Sequence, residues 1–302
     1  MTSNKLRLVI VLWRTKMTTK IDVFKHIKYD TNYFVSKRTL YPYIVQIGTG
    51  GNGTYILQQL AQMLASFNLP HSYIACDPDI CEAKNLRNQL FIEADVGKKK
   101  ADVLARRYSA HYKLNIASYS NQFVENMETL KNLFSNTDHT PVGYNDIVHL
   151  PILIGAVDNN YSRRIMHEYF KQADNLLYLD CGIEGVSLVD NASSEEELEK
   201  SRNSGYTGQV VAGLKLNGKT LLEPVASVFP DILDDQDEIA PSELSCSTVV
   251  ASEPQRVITN RFAAMALCSF LNELFETHSI TKHQVLFHAK KSYMRAKPIP
   301  SE

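Results

Sequence analysis

The chain has 302 residues, 44% apolar and 22% charged, with only 13 glycines and 11 prolines, a composition that supports a sizeable core and excludes disorder and collagen-like repeats. Lys plus Arg number 32 against 33 Asp plus Glu, and this net charge of −1 argues against a broad nucleic-acid surface or an acidic-membrane partner. Five cysteines, an odd count without a C-x-x-C pair, suggest neither a disulfide framework nor a zinc knuckle and suit a reducing cytoplasm.

An apolar run at 8–13 is too short to span a bilayer and has no small-residue cleavage site after it, so no signal peptide is expected. Met17 opens Met-Thr-Thr-Lys much as Met1 opens Met-Thr-Ser-Asn, and residues 1–40 are read as an extension before a single domain at 41–302. From 43 to 182, apolar runs of strand length alternate with amphipathic stretches, the signature of βαβ units. Strands are expected at 43–47, 71–76, 116–123, 150–157 and 176–180, and helices at 54–66, 98–112, the stretch up to 133, and 161–172. The run at 150–157 reads as a central strand buried on both faces. Beyond 182 the texture changes. A polar insertion at 184–206 includes 193–204, which lacks periodic apolar residues and reads as solvated surface. Residues 208–216 and 221–225 flank Asn217-Gly218 and read as a hairpin; 229–247 is an acidic crossover loop; 257–275, with Ala263, Ala264 and Ala266, reads as a buried helix. The expected fold is α/β, a Rossmann-like, mostly parallel sheet with helices on both faces and an antiparallel C-terminal extension.

The first expected strand runs straight into Gly48-Thr49-Gly50-Gly51-Asn52-Gly53, with a helix next. Glycines at Gly48, Gly50, Gly51 and Gly53 let the backbone turn tightly and approach a phosphate, while the helix start supplies free N–H groups and a positive dipole end. Nucleotide binding is the reading, with a purely structural turn as its alternative. Asp77 ends the second strand, where a carboxylate in this fold class accepts ribose hydroxyls, and Asp79 lies two residues on; a polar strand exit is the bland alternative. Asn85-Leu86-Arg87-Asn88-Gln89 and Gly97-Lys98-Lys99-Lys100-Ala101 follow. Amides, a guanidinium and amines at this place suit a nucleoside triphosphate, because phosphate oxygens take charge-assisted donors, although a lysine run by itself reads as a solvated face. Asp158 ends the buried run at 150–157 and faces the ligand crevice of such a sheet. Near phosphates it is a magnesium ligand, and otherwise the cap of the helix at 161.

Taken in order, these pieces resemble the ThiF/MoeB/HesA superfamily, which includes the E1 enzymes that activate ubiquitin-like proteins. The family's G-x-G-G-x-G, D-x-D, N-L-x-R-Q, G-x-x-K-A and D-N motifs find their counterparts at 48–53, Asp77 and Asp79, 85–89, 97–101, and Asp158-Asn159. Further on, Leu179-Asp180-Cys181-Gly182, Gly208-Gln209-Val210-Val211, Ser245-Cys246-Ser247, Gln255 and Asn260 look like the ThiF-like branch found in PRTRC gene clusters.

That resemblance implies adenylation: the C-terminal carboxylate of a small ubiquitin-like or sulfur-carrier protein, or of a peptide, attacks the α-phosphate of ATP and yields an acyl adenylate and pyrophosphate. It implies ATP and Mg2+ as cofactors and a homodimer, with no membrane partner. By position, Asp77 would hold the ribose, Asn85 and Gln89 the phosphates, Lys100 the charge developing at the α-phosphate, and Asp158 the magnesium. A fixed amine and a metal ion stabilise the crowded phosphorus more than the ground state. One departure stands out. The family's arginine directly before Gln is Asn88 here, with Arg87 one position earlier, so either Arg87 reaches the triphosphate or a charge is missing, as in non-catalytic members. Arg38, just before the first strand, is a candidate for the second arginine that the family often borrows from the other subunit. Cys246 is a candidate thioester acceptor; Asp237, Glu238 and Glu243 nearby would raise its pKa, and a small apolar role near the core is the alternative. Two other classes stay open: a nicotinamide-dependent oxidoreductase, for which no motif supplies a catalytic His or Tyr, and a silent nucleotide-binding partner.

Overall fold

The computed structural model describes residues 20–27, 38–135, 147–187, 194–234, 240–246 and 254–299. In chain order come β1 (Ile21–Asp22), α1 (Val23–His26), β2 (Thr39–Ile47), α2 (Gly51–Phe67), β3 (Ser72–Cys76), α3 (Lys100–Tyr112), β4 (Ile116–Tyr119), α4 (Met127–Ser135), β5 (Ile147–Gly155), α5 (Asn160–Gln172) and β6 (Leu176–Ile183). Then follow α6 (Glu195–Asn203), β7 (Thr207–Leu216), β8 (Lys219–Leu222), α7 (Val225–Val228), α8 (Asp231–Asp234), α9 (Pro241–Cys246), α10 (Val257–Thr277), β9 (Ser279–Ile280), β10 (Lys282–His288) and β11 (Tyr293–Pro298).

One sheet organises the chain, in the order β11-β10-β7-β6-β5-β2-β3-β4, with β8 paired to β7. From β4 to β6 every pairing is parallel, and from β6 outward to β11 every pairing is antiparallel. The parallel half is covered on both faces, so its strands sort their side chains with period two. In β2, Leu40 and Ile44 join the core under α2, α3 and α10, whereas Tyr41, Tyr43, Val45 and Ile47 join the opposite core with Phe170 of α5. Pro42 falls in the stretch of β2 that pairs with β5 alone, where a missing N–H disturbs one ladder rather than two. α10 packs along α2, and Ala263, Ala264 and Ala266 are fully buried, so small side chains bring the helix axes close. Among the described residues no helix is long and apolar enough to cross a membrane.

The α/β architecture expected from the sequence is present, with several local corrections. β2 begins at Thr39 and β5 at Ile147, earlier than the apolar runs suggest, while β4 stops at Tyr119 and β5 at Gly155. The second hairpin strand ends at Leu222, and Val225 opens a helical turn instead of closing a strand. Residues 195–203 form a helix despite burying nothing: Ser194 caps it, three glutamates fill its first turn, and Lys200 and Arg202 fill its last, so capping and the dipole replace an apolar face. Short helices α8 and α9 interrupt the acidic stretch, whose residues 235–239 lie outside the described residues. Ahead of the expected domain start, β1 pairs with β9 and Val23 is fully buried. β10 and β11 went unread in the sequence because β11 is exposed on both faces and carries no apolar alternation.

Burial holds His71, His149, His167 and His278 below the ordinary imidazole value of 6.5, so the unfolded chain binds more protons as pH falls through that value. These groups therefore contribute stability at neutral pH that is lost on acidification. Asp77, held above the usual carboxylate range by burial, acts in the opposite sense over its own range. The melting temperature is expected to fall between about pH 7.5 and about pH 5. His167→Leu should flatten part of that fall, and an unchanged profile in this variant would assign the fall to other groups.

Candidate functional site

β2 has β3 on one side and β5 on the other, and the chain leaves it toward β3 first, so the strand order reverses between β2 and β5. A crevice opens beyond the carboxyl ends of strands at such a point. The loop at 48–50 enters it. Gly48 has φ +92°, and a Cβ there would lie 2.5 Å from the carbonyl oxygen of Ala156, in the turn that follows β5. A Cβ on Gly53 would lie 2.2 Å from the oxygen of Gly48, so the first turn of α2 closes directly on the loop.

Two buried polar side chains hold that loop. Gln46, fully buried in β2, donates from Nε2 to the carbonyl oxygens of Gly48 and Gly53, both at 2.9 Å, and its Oε1 accepts the Tyr73 hydroxyl at 2.6 Å. Asp77 works from the next strand: its Oδ2 accepts the backbone N–H of Thr49 at 2.7 Å and the Thr49 hydroxyl at 2.9 Å, while Oδ1 accepts the N–H of Asp79. Sequence reading missed Gln46; its one signal was an amide inside an otherwise apolar strand.

Asp79 is 46% exposed at its side chain and makes a 2.9 Å ion pair with Lys100, which is only 8% exposed and opens α3. Burial pushes the Lys100 ammonium toward deprotonation, but the Asp77 and Asp79 carboxylates outweigh it and hold its pKa above the usual lysine value. Burial likewise raises the Asp77 carboxyl, with Lys100 pulling it back down. The lysine run therefore divides three ways: Lys98 is exposed, Lys99 donates to the carbonyl of Pro78, and Lys100 is the buried cation.

Between β3 and α3, Glu82 and Asn85 cap a short 3-10 turn reciprocally, with the Asn85 side chain accepting the Glu82 N–H at 2.8 Å. Asn85 thus supports the loop through its Oδ1. Gln89 keeps a buried Oε1 without a partner. Arg87 is exposed on that turn and Asn88 ends it. Arg107 ties the loop down, donating to the Leu90 carbonyl and pairing with buried Asp95. Asp158 is exposed in the turn after β5, and Asn159, not Asp158, caps α5 by accepting the N–H of Ser162. Behind this turn Arg163 donates to the Val157 carbonyl at 2.7 Å and pairs with Asp180 at 3.1 Å, while Tyr178 donates to the other Asp180 oxygen.

Among the described residues no three His, Cys, Asp or Glu side chains cluster as a metal cage. Cys76, Cys181 and Cys268 are buried, and burial pushes the Cys268 thiol up to about 12. The side chain of Cys246 lies outside the described residues. An open groove of about 720 Å³ lined by Tyr55, Arg107, Tyr108, His111 and Arg261 lies on the outer face of α2 and α3 and includes none of the expected site residues.

A crevice at the reversal point of a sheet in this order defines a Rossmann-like fold with a glycine-rich loop after its first parallel strand. Residues 38–220 match the ThiF family, and the chain belongs to that family. No curated protein matches it. Similar solved structures include microcin C7 biosynthetic enzyme MccB in complex with N-formylated MccA (TM-score 0.55, 17% identity, 86% of this chain and 65% of that one). MccB of E. coli with ATP (0.53, 17%, 86% and 64%) and PaaA (0.51, 16%, 86% and 65%) share the fold as well. The chain spans about 65% of the length of the first of these structures.

Gly48→Ala should cost more than about 2 kcal/mol, since it adds left-handed strain to a collision with backbone. Arg163→Met, which leaves Asp180 buried and unpaired, should cost about 3–5 kcal/mol. Denaturant unfolding checks both, and a Gly48→Ala protein with native stability would contradict the close approach.

Proposed function

We propose that this protein adenylates the C-terminal carboxylate of a small ubiquitin-like or sulfur-carrier protein, or of a peptide, using ATP and Mg2+. The observation that carries the reading is the buried Lys100 ammonium, paired with Asp79 and held charged also by Asp77, the carboxylate that accepts from Thr49 of the glycine loop. Family membership supports it, as does the likeness in fold to an MccB structure that contains ATP.

In this reading the backbone N–H groups at 49–53 take the phosphates, with Gln89 supplying a further amide. Asp77 fixes the loop, and ribose binding falls to Asp77 together with the more exposed Asp79. The substrate carboxylate attacks the α-phosphorus, a P–O bond forms, and the bond to pyrophosphate breaks. Lys100 turns from Asp79 toward the non-bridging oxygens, where charge gathers in the transition state. Asp158 would hold Mg2+, which neutralises phosphate charge. Arg87, exposed on its turn, would stand in for the arginine that is Asn88 here. A homodimer belongs to the same reading. Arg38 is a weak choice for an arginine reaching a second subunit, because it donates to the Phe24 carbonyl of its own chain at 2.9 Å. Where a thioester follows, Cys246 would attack the acyl carbon and AMP would leave.

Calorimetric titration should show binding of ATP with Mg2+ and none of NAD; comparable NAD binding would favour the oxidoreductase class. In ATP–pyrophosphate exchange with candidate carboxylate partners, Lys100→Ala and Asp158→Ala should each lower the rate by about two orders of magnitude. Arg87→Ala should do similar damage. ATP binding with no exchange in any partner's presence would instead indicate the silent-partner class.

An acyl conjugate released by thiol reagents should vanish in Cys246→Ala while exchange persists. A conjugate that survives the substitution would make Cys246 structural.

A further inference from the structure

Gly51 opens α2, and a Cβ placed on it would lie 2.6 Å from Nδ2 of Asn260 and 2.1 Å from Oε1 of Gln255. Asn260 sits in the first turn of α10 and Gln255 just ahead of that helix. The N-termini of a 17-residue and a 21-residue helix therefore meet at Gly51, and neither carries a side-chain cap. Free N–H groups and two positive dipole ends at one corner call for an anion. The nearest guanidinium in sequence does not occupy it. Arg256 donates to the carbonyls of Ser204 and Ser201 and lies over the Tyr206 ring.

Asn260 is fully buried, yet its Nδ2 and Oδ1 both lack a hydrogen-bond partner, and the Oδ1 of neighbouring Asn52 is also unpaired. A buried amide with both ends unpaired is costly and needs a ligand to complete it. The missing partner must offer a donor and an acceptor together. The α- and β-phosphates of a nucleotide offer acceptors only and would leave Oδ1 unpaired, whereas the last residue of a peptide offers its own N–H to Oδ1 and a carboxylate oxygen to Nδ2.

We propose that this corner, formed by Gly51, Gln255 and Asn260, receives the C-terminal residue of the acyl substrate, with Asn260 as the residue that recognises its carboxylate and its N–H. The proposal rests on the adenylation reading and deepens it. Asn260 reads the peptide end through backbone atoms that every residue type shares, and the free N–H groups at the start of α10 take the second carboxylate oxygen. The glycine at 51 is required because the two amides arrive where a Cβ would be.

The test follows amide resonances of the full 15N-labelled chain. The Asn260 side-chain signals are assigned by their loss in Asn260→Leu and, should that variant not fold, in the near-isosteric Asn260→Asp. Glycylglycine, glycylglycinamide, inorganic phosphate and a non-hydrolysable ATP analogue with Mg2+ are titrated separately. Of the four probes only glycylglycine should move the Asn260 side-chain signals, and it should move the Gly51 amide as well. Either variant should weaken the glycylglycine response of the Gly51 amide by about tenfold while leaving affinity for the analogue within about twofold. Asn260→Leu should also melt no lower than the parent without ligand, since it removes an unpaired buried amide, whereas a purely structural asparagine would lower it. Asn260 signals that follow phosphate or the analogue instead, or that ignore all four probes, would overturn the proposal. An analogue that fails to bind would sink the adenylation reading separately, because the glycylglycine titration is run without nucleotide.

Discussion

Everything at this site depends on how a loop with no regular structure of its own is kept in one place. Gln46 and Asp77 do it from two adjacent strands, one by donating to the loop's carbonyls and the other by accepting from its N–H and hydroxyl groups. Both side chains are almost entirely buried, and in a low-dielectric interior satisfied polar contacts of this kind fix a single geometry. With its carbonyls and one end committed to the protein, the loop keeps the N–H groups at the start of α2 directed into the crevice.

The charges around the loop are arranged by the same logic. Lys100 would lose its proton more readily if it were buried alone, and Asp77 and Asp79 hold it charged; Lys100 in turn favours ionised Asp77, against burial and the neighbouring Asp79 carboxylate, which both raise the Asp77 pKa. On the far side of the crevice, the Arg163–Asp180 pair fastens the turn that carries Asp158 to β6. Asp180 also fills the space left by Gly155, whose Cβ would lie 2.5 Å from its Oδ2. The two flanks of the crevice are thus braced by separate ion pairs, Lys100 with the half-exposed Asp79 and Arg163 with the buried Asp180.

Much of this was legible in the sequence. Apolar runs announced the parallel strands, and the glycine loop, Asp77, Asp79, Lys100 and Asp158 fall where their order between strands and helices puts them. Other features left at most a weak signal. Gln46 meets the carbonyls of Gly48 and Gly53, and Arg163 meets Asp180, only once turns and strands are in place, and a single polar residue in a strand does not say what it will meet. The lysine run looked uniform, yet helix geometry sent only Lys100 inward. α6 formed from caps and charge without an apolar stripe, and β11 is strand by pairing alone, so periodicity was silent for both. Asn85 was read as a phosphate donor from its place in a motif, whereas its local capping role follows from contacts within its own turn.

The small ribbon of β1 and β9 bears on how the molecule comes to be made. Ile21 pairs with Ile280 and Asp22 with Ser279, and Val23 donates its N–H to the carbonyl of His278. These partners are separated by nearly the whole chain, and at roughly 5–20 residues per second a ribosome needs tens of seconds to travel between them. During that interval Ile21 and Asp22 lack their strand partner, although β2 to β6 already hold the pieces of a parallel sheet. The ribbon is therefore a late seam. It cannot close before α10 has been made, and the order of synthesis sets the earliest moment at which it forms.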